Sequence, residues 1–532
     1  MRRFLCMLIA LMLLPAVFAA AEEVTVEGVA FQEGWDVKDN ARVFYEIFVG
    51  SFSDSDGDGI GDLRGIINRM DYLNDGDPAS GKSLGIEGIW LTPVFLSPSY
   101  HKYDVTDYYT IDPQFGTEED LRELIDLCHA RDVKLILDLP LNHTGSENRW
   151  YKNFVNAHLM QNPGNSYYDF YSWTDDPEAV PAGRHFMREP KTGMLVEANF
   201  SDSMPELNFD NESVRAAVLD VAVHYLEMGV DGFRFDAAKY PYLGDHDENV
   251  ALWTWYIGEL KKIRPEVYTV AEVWDSTGIT NRYAGCVNCF HFSTSQAEGL
   301  YAETAKAGNV NKLTAVTEND LNALREINPE AMNIPFIANH DMDRAAGYLT
   351  VANGRMAMAA NLYILTPGSP FIYYGEEIGL RGSRGGSNTD ANRRLAMLWG
   401  DGDTVKDPVG SDYEKQTPYT VADLLTMQGS LVNHYKKLLM VRKANPEIAR
   451  GSYTALSFPD TKAGGFLCEW NGSVVAVLHN TTTREVQLDL KAASGRTFTV
   501  LSAALEAVPG EGGATLEDGV LTIGSQTSVV VR

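Results

Sequence analysis

Short apolar runs recur along the chain, spaced to leave room for a helix between them. "VFYEIFV" (43–49), "IEGIWLT" (86–92), "VKLILDL" (133–139) and "VDGFRFD" (230–236) read as buried strands. So do "VYTVAE" (267–272), "CVNCFHF" (286–292), "NIPFIAN" (333–339) and "PFIYYG" (370–375). Amphipathic stretches lie between several of them, including "TEEDLRELIDLCHARD" (117–132) and "ESVRAAVLDVAVHYLEMG" (212–229). The second opens with an acid and ends in Gly229, as helices tend to. Eight strands alternating with helices predict an α/β fold, a closed parallel (β/α)8 TIM barrel.

Two segments break the rhythm. After the third strand, roughly sixty residues rich in Trp, Tyr, Asn, Gly and Pro precede the next helix, too many for a structureless loop in a compact domain. Beyond about residue 451, "SVVAVLHNTTTREVQLDL" and "GVLTIGSQTSVVVR" alternate apolar with polar positions and lack a helical period. The expected layout is a barrel in two parts (22–143 and 207–450), a small inserted domain (144–206) and a C-terminal antiparallel β-sandwich (451–532). Within the sandwich, Trp470 reads as core.

Residues 1–21 carry the parts of a secretory signal: Arg2 and Arg3, an apolar run from Phe4 to Leu14, and small residues at Ala19 to Ala21. The run is short for a membrane span, so a secreted or periplasmic protein is expected, with no membrane association after cleavage. A formal charge of −29 argues against nucleic acid, whose phosphates demand clustered Lys and Arg. Cys286 and Cys289 form a single CxxC with no second pair, which favours a local disulfide over zinc or redox catalysis in an oxidising compartment. A monomer is expected.

Chemistry collects at the C-terminal rim of such a barrel. The third strand ends in Asp138, with His143 following; the fourth ends in "GFRFDAAK", placing Arg234 and Asp236 on one side of the strand. Glu272 ends the fifth strand, and His340 and Asp341 follow the seventh. A single acid at a strand end is usually a cap. Several carboxylates converging with an Arg and two His raise one another's pKa and cost stability unless a reaction uses them. Glycoside hydrolysis uses such a set, and the aromatic-rich insertion offers flat faces for sugar rings.

These residues resemble a known family. "DLPLNH", "GFRFDAAK", "AEVW" and "IANHD" are similar to the four short motifs of the α-amylase family, glycoside hydrolase family 13, in the right order. "MPELN" (204–208) resembles a fifth motif, in the form found in the intermediate branch between neopullulanase and oligo-1,6-glucosidase types. The resemblance implies Asp236 as nucleophile, with Arg234 keeping it ionised, Glu272 as general acid/base and Asp341 as the third acid. It also implies Tyr103, His143 and His340 around the reacting sugar, Lys239 toward a +2 sugar, and Asp104 paired with Arg394 (or adjacent Arg393) near the non-reducing end. Asp138 is expected to support the strand end.

"DSDGDGIGD" (54–62) alternates acids and glycines like a calcium loop, but position twelve of an EF-hand would be Gly65. By resemblance, Asp54, Asp56, Asp58, the Ile60 carbonyl and Asp62 bind a structural Ca2+. A second calcium, which many α-amylases hold with an Asn in the first motif and a His after the second, is not assigned, because Tyr240 stands where that His would be. Ala237 after the nucleophile leans toward α-1,4 bonds. The expectation is an exported, retaining α-amylase acting on starch or maltooligosaccharides. The alternatives are an exo-acting α-glucosidase or glucan transferase of the same family and, more remotely, a non-catalytic carbohydrate-binding or transporter-accessory protein.

Overall fold

The computed structural model describes residues 22–384 and 390–532. The expected signal segment, 1–21, lies outside the described residues. No helix among those described is long and apolar enough to cross a membrane.

Seven parallel strands form one curved sheet: β1 (Phe44–Ile47), β2 (Gly88–Leu91), β3 (Lys134–Leu139), β4 (Gly232–Phe235), β5 (Tyr268–Ala271), β6 (Asn288–Cys289) and β7 (Phe371–Tyr373). Their spatial order is β6-β5-β4-β3-β2-β1-β7. The strand predicted at 333–339 makes no ladder. It lies between the two edges, with Ile334 bridging Phe290 of the β6 side and the Pro335 carbonyl accepting from Phe371 N–H at 3.0 Å. Pro335 has no N–H to give, which limits regular pairing there, yet the contacts on both sides close the barrel.

Alternation along each strand sorts the side chains. Phe44, Trp90, Ile136, Tyr268, Val270, Phe290 and Phe371 share a buried cluster inside the barrel, while Tyr45, Ile47, Ile89 and Leu91 belong to the cluster that also contains the outer helices. The same period carries Glu46, Asp138, Arg234 and Asp236 to the inner face, toward the C-terminal end.

Between β3 and β4, helix α1 (Arg149–Leu159) starts at Asn148, whose side chain accepts from Trp150 N–H. A three-stranded antiparallel sheet follows, made by Trp173–Thr174, Phe186–Arg188 and Leu195–Glu197. The bridge from His143 to Glu206 ties this segment back to the rim. The C-terminal region forms a five-stranded and a three-stranded antiparallel sheet around Leu478, Leu488, Leu521, Ile523 and Val529. Trp470 is not in that core. It is half-buried beside the Arg450 guanidinium, 5.9 Å from the ring centre. The expected disulfide is likewise absent: Cys286 and Cys289 are free thiols, and the Cys286 Sγ lies 3.2 Å from the Tyr283 carbonyl it donates to.

Candidate active site

One guanidinium organises the rim. Arg234, fully buried on β4, donates from Nη1 to both oxygens of Asp138 (2.9 and 3.0 Å) and to Asp236 Oδ1 (2.6 Å). Its Nη2 donates to Glu272 Oε2 at 2.7 Å. The ladder makes this possible, since Asp138 and Arg234 are direct register partners. The Ala237 N–H reaches the same Glu272 oxygen at 3.2 Å, from a backbone with φ of 49°. Asp138 also accepts from Trp90 Nε1 (3.2 Å) and the Tyr103 hydroxyl (2.9 Å).

Asp341 has its own cations. His340 Nε2 lies 3.0 Å from Oδ2, and Arg394 Nη2 donates to Oδ1 at 2.7 Å. Tyr103 stacks on the His340 ring, with centroids 5.5 Å apart. His143 is buried with neither ring nitrogen hydrogen-bonded, and burial lowers its pKa to about 4. Lys239 Nζ donates to the Trp274 carbonyl (2.6 Å) and Asp275 Oδ2 (3.0 Å).

The carboxyls are pushed in different directions. Burial raises Glu272 to about 7, with the nearby charges of Asp236 and Asp341 adding to it and Arg234 opposing. Burial also raises Asp236, against the pull of Arg234 and with Asp138 and Asp341 adding to the rise. For Asp341, burial acts upward too, but His340 and Arg394 overcome it and hold that carboxyl well below the usual range. Neighbouring acids thus differ in their readiness to hold a proton, as acid/base catalysis needs.

An open cavity of about 840 Å3 is lined by Tyr103, Asp104, His143, Asp236, Lys239, Glu272, Asp341 and Arg394. Arg234 and His340 stand behind this wall, fully buried. The expected Asp104–Arg394 pair is not made. Asp104 accepts from Ser97 Oγ at 2.7 Å and from the Ser99 hydroxyl, while Arg394 is drawn to Asp341, the Tyr100 hydroxyl (3.1 Å) and the His340 carbonyl (3.1 Å). Adjacent Arg393 pairs with Asp343 instead. Sequence reasoning missed Glu46, whose signal was an acid inside an otherwise apolar strand, and the cavity-lining Phe200, Tyr240 and Trp274.

In the Asp-rich loop, Asp54, Asp56 and Asp58 bring carboxylate oxygens within 4.8 Å of one another. This oxygen-only donor set fits a hard cation such as Ca2+. Asp62 lies outside that group of three. Its carboxylate accepts from Ser55 N–H (2.8 Å), Ser55 Oγ (2.8 Å) and Gly65 N–H (2.6 Å), capping the helix Leu63–Asn68. Ile60 turns its N–H to Asp58 Oδ1 at 2.7 Å.

Residues 46–451 match the family described as "Alpha amylase, catalytic domain". Alpha-amylase 3 of Dictyoglomus thermophilum is 35% identical over 455 residues, covering 82% of this chain and 84% of its own. A 4-alpha-glucanotransferase of Thermotoga neapolitana is 32% identical over 356 residues, covering 65% and 74%. Other relatives are named cyclomaltodextrinase and oligo-1,6-glucosidase, consistent with an intermediate position in the family. Among solved structures, Eubacterium rectale Amy13B superposes with a TM-score of 0.85 at 32% identity, covering 93% of this chain and 96% of that one. A barrel with three acids gathered around one arginine, the family match along most of its length and these relatives lead to one assignment: the chain belongs to the α-amylase family of glycoside hydrolases.

Proposed function

We propose that this enzyme is an exported α-amylase that cleaves internal α-1,4 bonds of starch and maltooligosaccharides with retention of configuration. The observation that carries the reading is the Arg234 bridge: one guanidinium contacts both Asp236 (2.6 Å) and Glu272 (2.7 Å). Retaining pairs work at about 5 Å, close enough for one acid to attack the anomeric carbon while the other protonates the departing oxygen. Glu272, with its pKa near 7, holds that proton before attack. Asp236 forms the glycosyl ester, Arg234 favouring its ionised form. Glu272, now ionised, then takes a proton from water as it attacks the ester-linked sugar. Asp341, kept ionised by His340 and Arg394, accepts hydrogen bonds from ring hydroxyls, and His143 offers buried ring nitrogens to the same sugar.

Calcium belongs to this reading as a staple, held by Asp54, Asp56 and Asp58. The bound ion supplies positive charge to an acidic turn and takes no part in bond cleavage. Export rests on the amino-terminal sequence, and a monomer is the working state.

Digestion of starch, pullulan and isomaltose in parallel tests the reading. Mixed oligosaccharides early in starch digestion support internal attack, whereas glucose alone from chain ends overturns it. The glucanotransferase relative gives a second reading some weight. Under that reading, maltooligosaccharide substrates lengthen and shorten together with little gain in reducing ends.

A further inference from the structure

Glu46 sits on β1 with 1% of its surface exposed, and it faces His340 across the barrel. Its Oε1 lies 2.6 Å from His340 Nδ1 and accepts from the His340 backbone N–H at 3.3 Å. On the far side of the ring, Nε2 lies 2.7 Å from the Tyr103 oxygen and 3.0 Å from Asp341 Oδ2. The hydrogens follow by elimination. The Tyr103 hydroxyl gives its proton to Asp138, which Arg234 holds by both oxygens, so toward His340 the Tyr103 oxygen can only accept. Glu46 Oε1 already accepts from the His340 backbone N–H, and Asp341, held well below the usual carboxylate range, can only accept as well. Both ring nitrogens therefore face acceptors, and both must carry hydrogen.

The other groups around the ring are the edge of Trp90 on β2, 5.7 Å away, Asp138 on β3, and Arg394, whose Nε donates to the His340 carbonyl. We propose that Glu46 is a positioning residue that keeps His340 a doubly protonated imidazolium, which in turn holds Asp341 ionised and Tyr103 aimed at Asp138. Burial opposes this charge, but Asp341 and Glu46 outweigh it and raise His340 to about 10. The consequence for catalysis rests on the α-glucan reading above; the protonation state does not.

The test is a proton–carbon NMR titration of the full-length enzyme labelled at His Cε1, with His340→Gln assigning the signal. The wild-type His340 signal is expected to stay in its imidazolium position to pH 9 or above, and in Glu46→Gln its midpoint should fall by at least about two pH units. On maltoheptaose, the wild-type to Glu46→Gln ratio of kcat/KM should grow about tenfold from pH 6 to pH 9; a purely structural loss would give a constant ratio. A wild-type midpoint near 6.5, or one unmoved by Glu46→Gln, overturns the proposal. Should Glu46→Gln not fold, the wild-type titration still decides, with Glu46→Asp as the second variant. An expected titration in a protein inactive on maltoheptaose would sink the substrate reading and leave this one standing.

Discussion

The rim and the Asp-rich loop are both crowded with carboxylates, but they handle the charge in opposite ways. At the rim, Asp138, Asp236 and Glu272 share Arg234, while Asp341 has His340 and Arg394. In the loop, Asp54 accepts from the Gly57 and Gly59 N–H groups and the Thr404 hydroxyl, and Asp56 and Asp58 from single backbone N–H groups. No ion pair to Asp54, Asp56 or Asp58 is formed among the described residues. A cluster balanced by its own protein cations can do chemistry on a neutral sugar, since its charges are already fixed in place. A cluster whose acids make no ion pair and accept from N–H and hydroxyl groups suits a free cation.

The largest effect should come from breaking the rim. Asp236→Asn removes the proposed attacking group and is expected to lower kcat on maltoheptaose by at least about 10^4-fold with KM little changed, read by reducing-end assay. Arg234→Leu strands the buried Asp138 carboxylate and should cost about 3–5 kcal/mol of stability in urea unfolding as well as activity. Retained stability in that variant would mean that the acids do not depend on one cation.

Removing calcium should affect the other cluster alone. With free Ca2+ at a hundred times its Kd, binding adds about 2.7 kcal/mol, so EDTA should lower the Tm while kcat well below the melting range stays the same. Asp56→Asn with Asp58→Asn should abolish the EDTA response, whereas a response persisting in that double variant would place the ion elsewhere. A smaller change is expected with pH. Because Glu272 is raised, its proton is lost as pH climbs through about 7, and kcat/KM should fall over that limb. Asp341 is lowered, so the stabilisation it gains from His340 and Arg394 is present above about pH 4 and lost as pH falls further. The smallest effect should be that of Asp62→Ala, which loses a helix cap worth about 1 kcal/mol and leaves the EDTA response in place. Loss of that response would return Asp62 to the ligand set.

The acids of the rim were legible in the sequence because each ends or follows a short apolar strand, and strand period decides which way it points. The seventh strand was legible in place but not in form, since Pro335 cannot donate to a ladder. Partner choice was not legible. Nothing in the spacing of Asp104 and Arg394 says that two serines will take the first and Asp341 the second. Glu46 went unread for a related reason: its neighbours in sequence are apolar, and the histidine it serves lies 294 residues away. Asp62 reads as one more acid in a repeating run, and its use as the cap of the helix that begins at Leu63 was not legible there.

Closure at Ile334 and Pro335 rests on one bridge and single backbone hydrogen bonds in place of a ladder. Amides along that seam should exchange with deuterium ahead of those in the β2–β3 ladder, and warming should loosen the wall there first. His340 and Asp341 follow directly on the same segment, so heat would misalign these two rim residues before the sheet as a whole gives way. Inactivation would then precede unfolding.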